Sequence, residues 1–340
     1  DRSYARFLQE TAHKTVLGTP VRATSSFFIA TNGNDSWSGK LAKPNADKTD
    51  GPFASLRKAR DAIRELKKRS GLPRGGVNVF VRGGTYSLPQ TLKLQAQDSG
   101  TPASLITYQA YKDETPVVTG GKPISGFEPY RGRILKADLA TQGLQGVEFG
   151  QLVCDGRRMH LARYPNYDPQ DPYGGGWAYA DGKPVPMYAD VPGEDKRTLH
   201  YKSSDARTWA RPEEGEVFVF PRYNWWNNIV PIESIDREKR LVTLTRDCSY
   251  AIRPTDRYYV RGMQEELDAP GEWYLDQRTW TLYFIPPEDT DPATMEVRAS
   301  HLRTIVDLEA GATNITFRGL TLECSQSTAM VLRDTTNCLV

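Results

Sequence analysis

Apolar and polar positions alternate along this chain in short runs, and one stretch replaces that rhythm with a helical one. "SLRKARDAIRELKKRSG" (55–71) sets Leu56, Ala59, Ile63 and Leu66 on one stripe, with Ser55 as N-cap and Gly71 beyond the last turn. This predicts an amphipathic helix over about 55–69. Its opposite face is heavily charged, so the stripe needs an apolar surface to cover, such as an open β end. Ahead of it, "FFIAT" (27–31) reads as a strand and "NGNDSWSGKLAKPNADKTDG" as turn and loop chemistry. Residues 1–25 carry a modest helical pattern at Tyr4, Phe7, Leu8 and Ala12 and read as an N-terminal arm. Beyond the helix, "VNVFVRG", "QTLKLQA", "LITYQAY" and "TPVVTG" follow one another about every dozen residues, with no βαβ alternation. That pattern leaves a sandwich, a barrel or a solenoid.

The far end narrows the choice. Asn314 in "ATNITF" recurs as Asn337 in "TTNCLV", and Leu308 matches Val331 at the same offset. Such a spacing is one turn of a β-solenoid, and an Asn at a fixed place suits a corner that needs left-handed φ. Between Phe127 and Arg298 the period is lost, and alternating strands take over in "RILKADL", "EVFVFPRY", "LVTLTRD" and "EWYLDQRTWTLYFIP". These predict an antiparallel insertion of sandwich type. The organisation expected is an N-terminal arm (1–25), first coils with their helix (26–126), an inserted subdomain (127–298) and resumed coils (299–340).

Composition changes this picture little. Among 340 residues, 44 Lys and Arg face 42 Asp and Glu, a net charge of +2 spread along the chain. No footprint for nucleic acid results. No apolar run approaches the ~18 residues that cross a bilayer. Aromatic residues make up 10% of the chain, many beside Asn, Asp, Gly and Pro, a mixture that suits sugar binding. Cys154, Cys248, Cys324 and Cys338 lack CxxC spacing and read as small buried hydrophobes, with a disulfide between Cys324 and Cys338 as the alternative. His13, His160, His200 and His301 lack metal-ligand spacing. No cofactor is expected; "NGNDSWSG" offers Asp35 to Ca²⁺ but lacks the repeated acidic positions of a calcium loop.

"FFIATNGNDSWSGKLAKPNADKTDGPFASLRKARDAIRELKK" followed by "VNVFVRGGTYSL" resembles the start of secreted parallel β-helix proteins of the pectin-lyase-like superfamily. "PGEWYLDQRTWTLYFIPP" is similar to a strand pair inside the insertion of proteins akin to glycoside hydrolase family 141, whose members include an α-L-fucosidase and a xylanase. The resemblance covers nearly the whole chain. It implies an all-β protein: a right-handed parallel β-helix with an N-terminal capping helix and an inserted antiparallel β-sandwich-like subdomain. It also implies a secreted or periplasmic location and cleavage of glycans. In such proteins the solenoid runs on for many coils, so the main catalytic residues are expected beyond Val340.

Common glycoside hydrolysis uses two carboxyl groups, ~5–5.5 Å apart for retention and ~6.5–9.5 Å for inversion. Stacked coils lie ~4.8 Å apart, which permits either. Glu323 is the first candidate, since alternation turns Leu320 and Leu322 inward and Glu323 outward. Asp334 is the second, with Asp307 about one period upstream; each reads equally as a solvated turn residue. "PRYNWWNN" offers Tyr223, Asn224, Trp225, Trp226 and Asn227 to an oligo- or polysaccharide, although strand alternation would pack one of the two tryptophans. Arg163 in "MHLARYPNYD" suits either a uronate carboxylate or a structural salt bridge. "DPYGGGWAYADG" places Trp177 on a flexible loop over a cleft. The functions in play are a glycoside hydrolase acting on plant or algal polysaccharide, a polysaccharide lyase on the same fold, and a glycan-binding protein without turnover.

Overall fold

The computed structural model of the protein describes residues 25–340, so the expected arm lies outside the described residues but for Ser25, as does His13. The chain folds as two compact units. The first holds the described residues up to Lys122 and Ser300–Val340, the second Pro123–Ala299. Among the described residues the fold is all-β but for one α-helix and a few 3-10 turns.

Three parallel sheets make the first unit. Ser25–Ile29, Val77–Val81, Ile106–Ala110 and Ile315–Arg318 form one; Leu92–Leu94, Thr304–Leu308 and Thr328–Leu332 a second; Gly84–Ser87, Pro116–Thr119 and Thr321–Glu323 a third. From Val77 on, the chain visits first, third and second sheet in a fixed rotation, and Pro123–Ala299 interrupts it between the third-sheet and second-sheet strands of one round. Like residues therefore stack. Val77, Ile106 and Ile315 are in register, as are Val79, Tyr108 and Phe317, with the Tyr108 and Phe317 rings 5.1 Å apart. These side chains and their counterparts Leu94, Val118 and Leu308 form a continuous buried core.

The repeat is less uniform than its sequence spacing implies. Thr313 bridges Thr336 and Thr316 bridges Leu339, but Leu308 pairs with Leu332 and leaves Val331 opposite Asp307. A change of one residue in register exchanges the faces of a strand, so Leu308 shares its face with Leu332 and Asp307 shares its own with Val331. Asn314 and Asn337 both sit at positive φ, +58° and +54°, and the Asn337 amide approaches Asn314 Oδ1 at 3.5 Å.

The helix runs Leu56–Ser70 and turns Leu56, Ala59 and Ile63 into the core. Ser55 Oγ accepts from the Lys58 N–H at 3.1 Å and donates to Asp35 Oδ2 at 2.7 Å. Asp35 Oδ1 also accepts from the backbone N–H groups of Ala54 and Ser55. The carboxylate weighed above as a Ca²⁺ ligand thus fixes the entry to the helix, where its charge meets the positive end of the helix dipole. Ser55→Ala is expected to cost about 1–2 kcal/mol, read as a lower urea midpoint at unchanged slope.

Besides a four-stranded sheet in the order Arg157–Arg158, Leu152–Cys154, Val297–Ser300 and Gly121–Ile124, the second unit rests on two larger sheets. In one, Glu272–Asp276 and Thr281–Phe284 form a hairpin flanked by His160–Leu161 on one edge and by Ile134–Asp138 and Glu128–Arg131 on the other. Trp273 faces Phe284 and Tyr274 faces Tyr283 across the hairpin. Both faces are buried, since Trp273, Leu282 and Phe284 enter one core and Tyr274 and Ile285 another. The other sheet is antiparallel, in the order Arg163–Tyr164, Arg257–Arg261, Glu216–Val219, Asn228–Asp236, Leu241–Leu244 and Thr198–His200, with Ala178–Tyr179 also paired to Arg257–Arg261. All four cysteines are thiols, so no disulfide joins Cys324 to Cys338. Burial pushes the thiols of Cys154 and Cys248 up to about 11. Among the described residues no helix is long and apolar enough to cross a membrane, and no three His, Cys, Asp or Glu side chains group as a metal site.

Candidate functional site

Residues 221–227 are the tip of the long hairpin between Glu216–Val219 and Asn228–Asp236, and they leave the strand conformation. Positive φ at Arg222 (+59°) and Asn224 (+55°) breaks the pleat. Strand alternation therefore does not apply, and neither tryptophan is packed: Trp225 is 70% and Trp226 62% exposed. Tyr223 is the half-buried hub. Its ring lies 5.3 Å from Trp225, 4.9 Å from Tyr250 and 6.0 Å from Tyr188, itself 81% exposed. Asn224 and Asn227 are exposed beside the rings. The surface offers flat apolar faces and amide groups together, which is what the C–H faces and hydroxyls of a sugar require. Tyr188 and Tyr250 lack the clustered signature of 221–228 and join it only through the fold.

The other sequence candidates fall elsewhere. Arg163 is buried, its Nε donating to the Pro165 carbonyl at 2.8 Å and its Nη2 to the Gly176 carbonyl, with the guanidinium 3.6 Å from the Tyr259 ring centre. Among the described residues it forms no salt bridge, and its burial leaves no open carboxylate site. Trp177 packs among Phe218, Phe220 and Tyr259 as part of an aromatic face on the large sheet. The preceding glycines are closely approached: a Cβ on Gly176, at φ +67°, would lie 2.5 Å from the Asn166 carbonyl oxygen.

Glu323 ends a third-sheet strand, half-exposed, with Thr119 as its register partner, while Leu320 and Leu322 pack against the core. Asp334 is exposed at φ +49° just past the second-sheet strand Thr328–Leu332. Asp307 is buried in the second sheet, where Oδ2 accepts from Arg333 Nη2 at 2.6 Å and Oδ1 has no partner. Glu323 and the two aspartates thus belong to different sheets, and the register does not stack them.

Sequence reasoning also missed a cleft of about 570 Å³ in the second unit, lined by Phe149, Glu213, Glu214, Glu216, Arg261, Trp273, Tyr274 and Arg278 among others. Glu216 is held across the strands by Arg261, Nε to Oε1 at 2.7 Å. Glu214 accepts from the Tyr274 hydroxyl at 2.8 Å and pairs with Arg211 at 3.1 Å. Burial, with Glu214 beside it, pushes the Tyr274 phenol up. At the start of the strand that carries Trp273 and Tyr274, Glu272 is almost fully enclosed and accepts from the backbone N–H groups of Arg163, Asp268 and Ala269. Loss of hydration outweighs those bonds and pushes its carboxyl up to about 7.

No family model and no curated protein matches the chain. A solved structure of a glycoside hydrolase is similar in fold, with a TM-score of 0.70 at 20% identity over 89% of this chain and 51% of its own. The chain spans about half the length of that neighbour. A second, the complex of XylC with xylose, aligns at a TM-score of 0.36 and 14% identity over 89% of this chain and 36% of its own, too weakly to carry an argument.

Proposed function

We propose that the protein is a secreted or periplasmic glycoside hydrolase acting on a plant or algal polysaccharide. The observation that carries this reading is the exposed aromatic and asparagine surface around Tyr223: large rings left in water beside amides mark a binding site. The neighbour of like fold is a glycoside hydrolase, which supports the same reaction class by analogy. We read the rotation of three parallel sheets as coils of a right-handed parallel β-helix of the pectin-lyase-like kind, akin to glycoside hydrolase family 141, with residues 127–298 inserted. Hydrolysis would use paired carboxylates on the β-helix face, with Glu323 as the half-exposed candidate. A lyase would need a cation for the uronate, and Arg163 is committed to backbone carbonyls.

A panel of neutral and uronate-containing polysaccharides distinguishes the reactions. Hydrolysis releases saturated reducing ends; elimination gives an ultraviolet-absorbing C=C bond, and that product would overturn the proposal. Glu323→Gln is expected to lower turnover roughly 100-fold with glycan binding intact. Full activity in that variant would remove Glu323 from the chemistry.

A further inference from the structure

Resting on the reading of the Tyr223 surface as glycan-binding, a finer assignment follows from how its rings are tilted and how Tyr188 is held. From Tyr223 the ring plane turns by 38° to Tyr188 and by 58° to Trp225, over centre-to-centre steps of 6.0 and 5.3 Å. Each step is close to the length of one pyranose unit along a glycan. Rings that are not coplanar cannot lie flat on a crystalline face, but they match a chain whose successive sugars rotate about its axis.

Tyr188 stands on backbone that is anchored with unusual thoroughness. Arg253, 3% exposed, donates from Nη1 to the carbonyls of Pro186 at 2.7 Å and Met187 at 3.2 Å, and from Nη2 to that of Ala189 at 2.7 Å. The same guanidinium grips the Glu194 carboxylate through Nε at 2.6 Å and Nη2 at 2.9 Å. Arg222 adds bonds to the Met187 and Ala189 carbonyls. The backbone N–H groups of both arginines end on Asp256 Oδ2, at 2.6 and 2.7 Å. Carbonyls on both sides of Tyr188 are thus fixed while its ring stands in water. Prepaid ordering of this kind lowers the entropy lost on binding. The guanidinium beside the rings is already engaged, and the exposed polar groups at the tip are the amides of Asn224 and Asn227, so a neutral, hydroxyl-rich chain fits better than an anionic one.

We propose that this surface binds a single, twisted, neutral glycan chain across consecutive sugar units, and that Glu194 and Arg253 position Tyr188 as one of its stacking rings. The test uses calorimetry with soluble xylan, mixed-linkage glucan and galactomannan, their di- and hexasaccharides, oligogalacturonate, and sedimentation with crystalline cellulose. Trp225→Ala examines the underlying reading: unchanged glycan binding, or no binding of any probe by the unmutated protein, would sink both. The finer proposal expects hexasaccharide affinity to fall about tenfold in Tyr188→Ala, with disaccharide affinity little changed and Tyr188→Phe near the unmutated value. Glu194→Gln is expected to show the same chain-length signature, with faster hydrogen exchange at Met187–Ala189. Unchanged hexasaccharide affinity in Tyr188→Ala, or preference for crystalline cellulose or oligogalacturonate, would overturn it while leaving glycan binding standing.

Discussion

Asp98→Ala is expected to lower the stability of the first unit by about 3 kcal/mol, the low end of the cost of breaking a buried ion pair. Asp98 is 4% exposed, and its carboxylate receives Arg64 Nε at 2.6 Å and Nη2 at 2.7 Å, a bidentate pair that ties the helix to the corner after Leu92–Leu94. The backbone N–H of Gln95 shares Oδ2 at 2.8 Å. Alanine removes all three bonds. The cost stays at the low end because Arg64 is partly exposed and Gln95 is exposed, so both donors can turn to water. Urea denaturation of Asp98→Ala, Arg64→Ala and the double variant checks this, since a coupled pair makes the double variant much less unstable than the sum of the singles. Additive losses would show that the pair contributes nothing of its own.

Glu272→Gln is expected to flatten the pH dependence of stability between about pH 4.5 and 7. The folded carboxyl binds its proton more tightly than the unfolded one, with an affinity pushed up to about 7 by burial against a usual value of about 4.3. The folded state therefore holds the extra proton between those values. Its stabilising contribution is fully present below the unfolded value and is lost as pH rises through the folded one, to a total of about 4 kcal/mol. The backbone donors from Arg163, Asp268 and Ala269 oppose the shift without reversing it. Unfolding free energies measured at intervals from pH 4.5 to 8 should fall for the unmutated protein and stay nearly level for Glu272→Gln. Parallel curves would mean that Glu272 is ionised in the fold throughout.

Much of the local structure was legible in the residues. The stripe Leu56, Ala59 and Ile63, the cap Ser55 and the stop Gly71 are written within one helix length, because capping and amphipathic spacing act between near neighbours. The all-β character likewise shows in period-two runs closed by turn residues. The pairing of Leu308 was misread by one residue because register depends on which face is buried, and that is set by strands distant in sequence.

The candidate surface divides along the same line. Its cluster of Tyr223, Trp225 and Trp226 with three asparagines stood out as chemistry, since ring and amide content belong to the residues themselves. Whether those rings were packed or bare was decided by backbone that turns to positive φ at Arg222 and Asn224. Tyr188 entered because arginines far along the chain hold the carbonyls around it. The fold also withdrew Arg163 into carbonyl contacts and spent Asp35 on a helix cap. Residue type determined which chemistry each side chain could perform; tertiary structure decided which groups meet water and which meet each other, because burial and hydrogen-bond partnership are properties of non-local neighbours.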